Sequence, residues 1–142
     1  FHACKEAESG EKGSVIMKRI NTAAFLAAIV LGICLFGRSV TEKQTGRIAA
    51  VMEEIDELLA EGDTEQALKI GEEFQAEWET IHGQLCLFLQ HEHLDPLESV
   101  FAVLPYYIEQ GEITLAQSEC RLVRSVTEHI LKTERVTLEN IL

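Results

Sequence analysis

The chain has 142 residues, 12 Lys+Arg against 24 Asp+Glu, a formal net charge of -12, and 46% hydrophobic residues with a mean hydropathy of +0.05. A disordered acidic chain is much poorer in apolar residues, and nucleic-acid binding needs clustered Lys and Arg, so both classes are excluded. Acidity and positive hydropathy coexist only if they occupy different parts of the chain.

Residues 1–16 are polar and precede Met17-Lys18-Arg19, which reads as a natural translation start. This segment is expected to be a disordered extension or the product of a misannotated start. Cys4 carries no weight for the same reason.

Ile20 to Gly37 is a run of 18 residues without a charge, flanked by Lys18 and Arg19 on one side and Arg38 on the other. A bilayer core of about 30 Å needs about 17 to 25 helical residues. Residues 17–38 therefore read as a transmembrane anchor. A cleaved signal peptide is the alternative, with Gly37 and Ser39 as small residues for the cleavage site. Lipid modification of Cys34 is disfavoured by Ile33, which is too large for such a site. From residue 39 onward there are 21 acidic and 7 basic residues, a net charge of −14. Lys18 and Arg19 favour a cytoplasmic N-terminus, although Arg38, Lys43 and Arg47 oppose it. The 39–142 domain is then extracytoplasmic.

Beyond the anchor the periodicity is helical throughout, and no strand alternation persists. The expected fold is all-α, an N-terminal transmembrane helix followed by an antiparallel bundle of about four helices. Helix 1, about 41–61, presents Ile48, Val51, Met52, Ile55, Leu58 and Leu59, and can continue directly from the anchor. Gly62 ends it, and Asp63 with Gln66 forms a capping pattern for the next. Helix 2, about 64–90, has a seam of Ala67, Gly71, Phe74, Trp78, Ile81, Leu85 and Phe88 spaced 4-3-4-3-4-3. That spacing is the signature of a bundle or coiled coil. Glu72, Glu73, Glu77 and Glu79 read as its solvated face. Gly71 and Gly83 within it read as allowing close helix packing.

Helix 3 is expected to start at Asp95 as N-cap with Pro96 at the first helical position, and to end at Gly111. It buries Leu97, Val100, Phe101, Leu104, Tyr107 and Ile108, with a kink at Pro105. Helix 4, about 113–132, turns Ala116, Cys120, Val123, Val126, Thr127 and Ile130 inward. The tail from Val136 to Leu142 is expected to pack back on the bundle. Short connections make successive helices antiparallel neighbours.

One polar cluster has ligand chemistry, Gln90-His91-Glu92-His93-Leu94-Asp95, with Cys86 one turn upstream. His, Cys and carboxylate are zinc ligand types. His91, His93, Asp95 and Cys86 are thus weak metal candidates. The favoured reading is a plain hairpin turn with solvent-facing histidines, because the spacing matches no recognised site. His82 and His129 read as isolated helical histidines. A Cys86–Cys120 disulfide is geometrically open, but two free thiols are favoured. No nucleophile–base pair, phosphate loop or metalloprotease pair is present, so neither catalytic residues nor cofactors are expected.

From Met17 to the C-terminus the chain resembles the bacterial domain-of-unknown-function family 4363. The resemblance rests on Met17-Lys18-Arg19 with the apolar run, Glu65-Gln66-Ala67, Trp78-Glu79, the segment from Phe88 to Asp95, Tyr107-Ile108-Glu109, and the ending from Glu134 to Leu142. His91, Asp95 and the terminal Asn140-Ile141-Leu142 are its most distinctive points. His93 departs from a carboxylate usual there, and residues 1–16 have no counterpart. The resemblance implies a small single-span protein with an extracytoplasmic helical domain. It also implies a multi-span membrane protein encoded nearby as a partner, and it implies no reaction. Together these readings point to a non-enzymatic interaction or accessory module at the bacterial cell envelope. The alternative is a metal- or ligand-responsive sensor using the His91/His93/Asp95 turn. Oligomeric state is left open.

Overall fold

The computed structural model describes residues 2–139, with side chains described from 16 to 133. Four helices follow in order: α1 (His2–Glu61), α2 (Thr64–Leu85), α3 (His91–Glu109) and α4 (Ile113–Glu139). Among the described residues there is no strand. The chain divides into two units, Phe1–Phe36 and Gly37–Leu142.

In the first unit every residue from Ile16 to Phe36 is exposed. Phe25 is 66% and Phe36 65% exposed. Residues this apolar are normally the first to be buried in a water-soluble domain. The stretch belongs to the one helix among the described residues that is long and apolar enough to cross a membrane.

The second unit is a closed four-helix bundle. The α1 seam is Thr41, Thr45, Ile48, Met52, Ile55 and Leu59, all buried. That of α2 is Ala67, Gly71, Phe74, Trp78, Ile81 and Leu85. Both repeat 4-3-4-3-4, which keeps one face of each helix toward its neighbours over about five turns. Leu94, Leu97, Val100, Phe101, Leu104 and Ile108 of α3 join them, as do Ala116, Cys120, Val123, Thr127 and Ile130 of α4. The aromatic centre is a T-shaped trio: Phe101 lies 5.0 Å from Phe74 and 4.6 Å from Trp78, centroid to centroid.

Cross-links on the surface show the helix directions. Arg47 pairs with Glu77 at 2.6 Å and Gln44 donates to Gln84, so rising numbers on α1 meet falling numbers on α2. Arg121 reaches Asp56 at 3.5 Å and Arg124 reaches Glu53 at 3.2 Å, which makes α1 and α4 antiparallel as well. The topology is up-down-up-down, as the short connections require.

Two of the three corners are built alike. Gly62 has φ +85° and Gly111 has φ +75°, a region that suits glycine. At the first, Gly62 N–H donates to Leu59 O at 3.3 Å and Asp63 N–H to Leu58 O at 2.9 Å. At the second, Gly111 N–H donates to Ile108 O at 3.1 Å and Glu112 N–H to Tyr107 O at 2.9 Å. This is the Schellman arrangement. Asp63 Oδ1 then accepts from Gln66 N–H at 3.1 Å, the expected cap of α2.

Several details differ from the expectation. Helix α3 starts at His91, with Gln90 as N-cap, rather than at Asp95. The earlier start adds a turn that carries Leu94, fully buried, into the core beside Leu97. Pro96 therefore lies inside α3 rather than at its start, and Pro105 lies inside it as expected. Helix α2 ends at Leu85, so Phe88 falls in the following turn. The segment from Val136 continues α4 as far as Glu139; its side chains, with the packing expected of them, and residues 140–142 lie outside the described residues. A Cβ on Gly71 would meet Pro105 Cγ at 3.8 Å and Ile108 Cδ1 at 4.0 Å, and one on Gly83 would meet nothing within 4 Å. These are ordinary contacts or open space, so neither glycine is there to let helices approach.

A histidine–cysteine cluster at the α2–α3 corner

The third corner has no glycine. Cys86 is the C-cap of α2 and its N–H donates to His82 O at 2.9 Å. Phe88 and Leu89 N–H both return to Leu85 O, at 3.0 and 2.8 Å, and Leu89 is buried. Gln90 is extended (φ -73°, ψ 142°) and delivers the chain into α3. The last turn of α2 and the first residue of α3 are thereby brought face to face.

His82 and Cys86 are one turn apart on α2 and therefore lie on the same face. Cys86 Sγ is 3.4 Å from His82 Nε2 and 3.7 Å from His82 Nδ1. Across the corner, the same sulfur is 3.7 Å from His91 Nδ1. The two imidazole rings are 5.9 Å apart, and one ligand atom from each of the three residues fits within 4.8 Å of the others. His82 and Cys86 are half-buried, whereas His91 is exposed. Trp78, one turn before His82, holds its ring 5.5 Å from the imidazole and closes the inner side of the cluster.

Two of the four residues singled out from sequence, Cys86 and His91, thus belong to one cluster. The other two do not. His91 and His93 were expected on a turn, but both are in α3, where a step of two residues places side chains on nearly opposite faces. His93 is half-buried there. Asp95 is exposed, and its backbone carbonyl accepts from Ser99 Oγ at 3.0 Å. His82, isolated to a reading of α2 alone, is the third member. The available signal was its four-residue spacing from Cys86, a pair on one helical face.

The described cysteines Cys34, Cys86 and Cys120 are all free thiols. Cys120 is fully buried in the α4 seam. Desolvation, followed by the charges of Asp56 and Glu119, raises its pKa from 9.0 to about 12. It is a core residue in chemistry as well as position.

Neither the curated proteins nor the solved structures contain a match to this chain. A family model does match, over residues 35–141, which takes in the whole bundle, the cluster at its corner, and the last two residues of the exposed apolar stretch. With about three quarters of its length so covered, the chain belongs to the family described as a domain of unknown function, DUF4363.

Proposed function

We propose that this protein is a non-enzymatic, single-pass membrane protein whose helical bundle serves as an interaction or accessory module at the bacterial cell envelope. The observation that carries this reading is the unbroken exposure of Ile16–Phe36, a surface that water would not tolerate and a bilayer would. Lys18 and Arg19 hold the N-terminus in the cytoplasm, and the acidic bundle lies outside. Its net −14 charge repels anionic headgroups and keeps it dissolved beside the membrane.

The bundle offers apolar side chains beyond its core. Leu115 and Leu122, 47% and 48% exposed, stand one heptad apart on α4, and Tyr106 is 58% exposed on α3. Such residues suit a helical neighbour, and a multi-span membrane protein encoded nearby is the proposed one.

The full-length protein should remain with membranes after alkaline carbonate washing. Protease added to spheroplasts should digest the bundle while leaving cytoplasmic proteins intact. In mild detergent it should co-purify with the multi-span protein. Release by carbonate would remove the anchor from this reading. A monodisperse monomer that retains no membrane protein would remove the partner.

A further inference from the structure

We propose that His82, Cys86 and His91 form a three-ligand site for Zn2+. The proposal stands apart from the membrane role. It rests on how closely the three side chains already match the demands of the ion.

Zinc takes thiolate sulfur at about 2.3 Å and imidazole nitrogen at about 2.0–2.1 Å, and tetrahedral angles then separate sulfur from nitrogen by about 3.5 Å. Cys86 Sγ lies 3.4 Å from His82 Nε2 and 3.7 Å from His91 Nδ1. Both sulfur–nitrogen edges of the tetrahedron are therefore within about 0.2 Å of the ideal, and the third edge, between the two imidazole nitrogens, lies within 4.8 Å and shortens as the rings turn to the ion. Aiming the His82 nitrogen at the ion draws on χ2, a soft torsion in histidine. The ligand set of one thiolate and two neutral imidazoles suits a borderline ion and disfavours Mg2+ or Ca2+, which require oxygen.

The positions are preorganised. His82 and Cys86 are fixed relative to each other by one turn of α2, and His91 by its place at the head of α3. The exposed side of His91 leaves the fourth coordination position to water. Three protein ligands with an open position make an exchangeable site rather than a closed structural one. On binding, the Cys86 thiol gives its proton to solvent and the sulfur becomes the anionic ligand. The ion then ties the end of α2 to the start of α3.

The test uses the full-length protein in mild detergent with a phosphine reductant, titrated with Co2+ as a spectroscopic stand-in for Zn2+. One equivalent should produce a thiolate-to-cobalt charge-transfer band and tetrahedral d–d bands, and Zn2+ should abolish both. Cys86→Ser should lose the charge-transfer band. His82→Ala and His91→Ala should each weaken binding by about tenfold or more, since even outer-shell losses cost about that much. His93→Ala should bind as the wild type does. Co2+ should also quench Trp78, the single tryptophan, which adjoins His82. Because Cys86→Ser could perturb the corner, the wild-type protein supplies an independent measure: Zn2+ should protect Cys86 from alkylation, as mapped by mass spectrometry. Absence of the charge-transfer band, its survival in Cys86→Ser, equal loss in His93→Ala, or unprotected Cys86 would each overturn the site.

Discussion

Trp78 packs edge-on against Phe101, 4.6 Å between ring centroids, and Phe101 in turn meets Phe74 at 5.0 Å. Phe101 is thus the hinge pin of the α2–α3 contact, only 2% exposed. Phe101→Ala removes a buried ring and two aromatic contacts together. The expected loss is about 3–5 kcal/mol of unfolding free energy. Urea denaturation followed by Trp78 fluorescence measures it, and a loss below 1 kcal/mol would show that the trio does not anchor the core.

Gly71 and Gly62 should respond in opposite directions to alanine. At Gly71 the helix interior gains about 0.5–1 kcal/mol, because a Cβ there finds 3.8 and 4.0 Å contacts and the unfolded chain loses freedom. At Gly62, with φ +85°, alanine costs about 1–2 kcal/mol through left-handed strain. Thermal melts of the two variants give the signs directly.

Cys120 should resist alkylation at neutral pH while Cys86 reacts. The buried thiol is held protonated, with its pKa near 12 rather than 9.0. The folded state therefore keeps this proton where the unfolded chain releases it. The resulting contribution is present in full below pH 9 and is lost as pH rises through the window from 9 to about 12. Cys120→Ala should show a shallower fall in melting temperature across that window. Peptide mapping after timed alkylation checks the reactivity order.

The ion pairs between helices should matter little. Arg47 and Glu77 are 53% and 43% exposed at the side chain, and Arg124 and Glu53 are 40% and 54%. A double-mutant cycle on either pair should return a coupling of about 0.2–1 kcal/mol that shrinks with added salt. A larger, salt-independent coupling would mean that the pairs are shielded by something further.

The seams of α2 and α4 are legible in the sequence because their apolar residues repeat with the bundle period, and Gly62, Gly111 and Asp63 announce two corners by type alone. Other features depend on what the chain meets after folding. Thr41 and Thr45 occupy seam positions in α1 although both are polar; Thr45 Oγ1 satisfies itself on Thr41 O at 2.7 Å, which hides it from a hydrophobicity pattern. The start of α3 was masked by Asp95-Pro96, a local start signal overruled by the burial of Leu94. The His82–Cys86–His91 cluster joins residues nine positions apart on two helices. The four-residue spacing of His82 and Cys86 shows two of its members, but the approach of His91 comes from the corner and no period on either helix shows it.

The three corners are unequal in what holds them. Gly62 and Gly111 each lock a hairpin, α1 with α2 and α3 with α4, through backbone hydrogen bonds. The corner from Cys86 to Gln90 has no left-handed residue. Its backbone is held instead by Phe88 and Leu89 N–H on Leu85 O and by His93 N–H on Gln90 O. With five residues between helices, against two and three at the glycine corners, it is where hydrogen exchange should enter first, and a metal ion seated there would close that door.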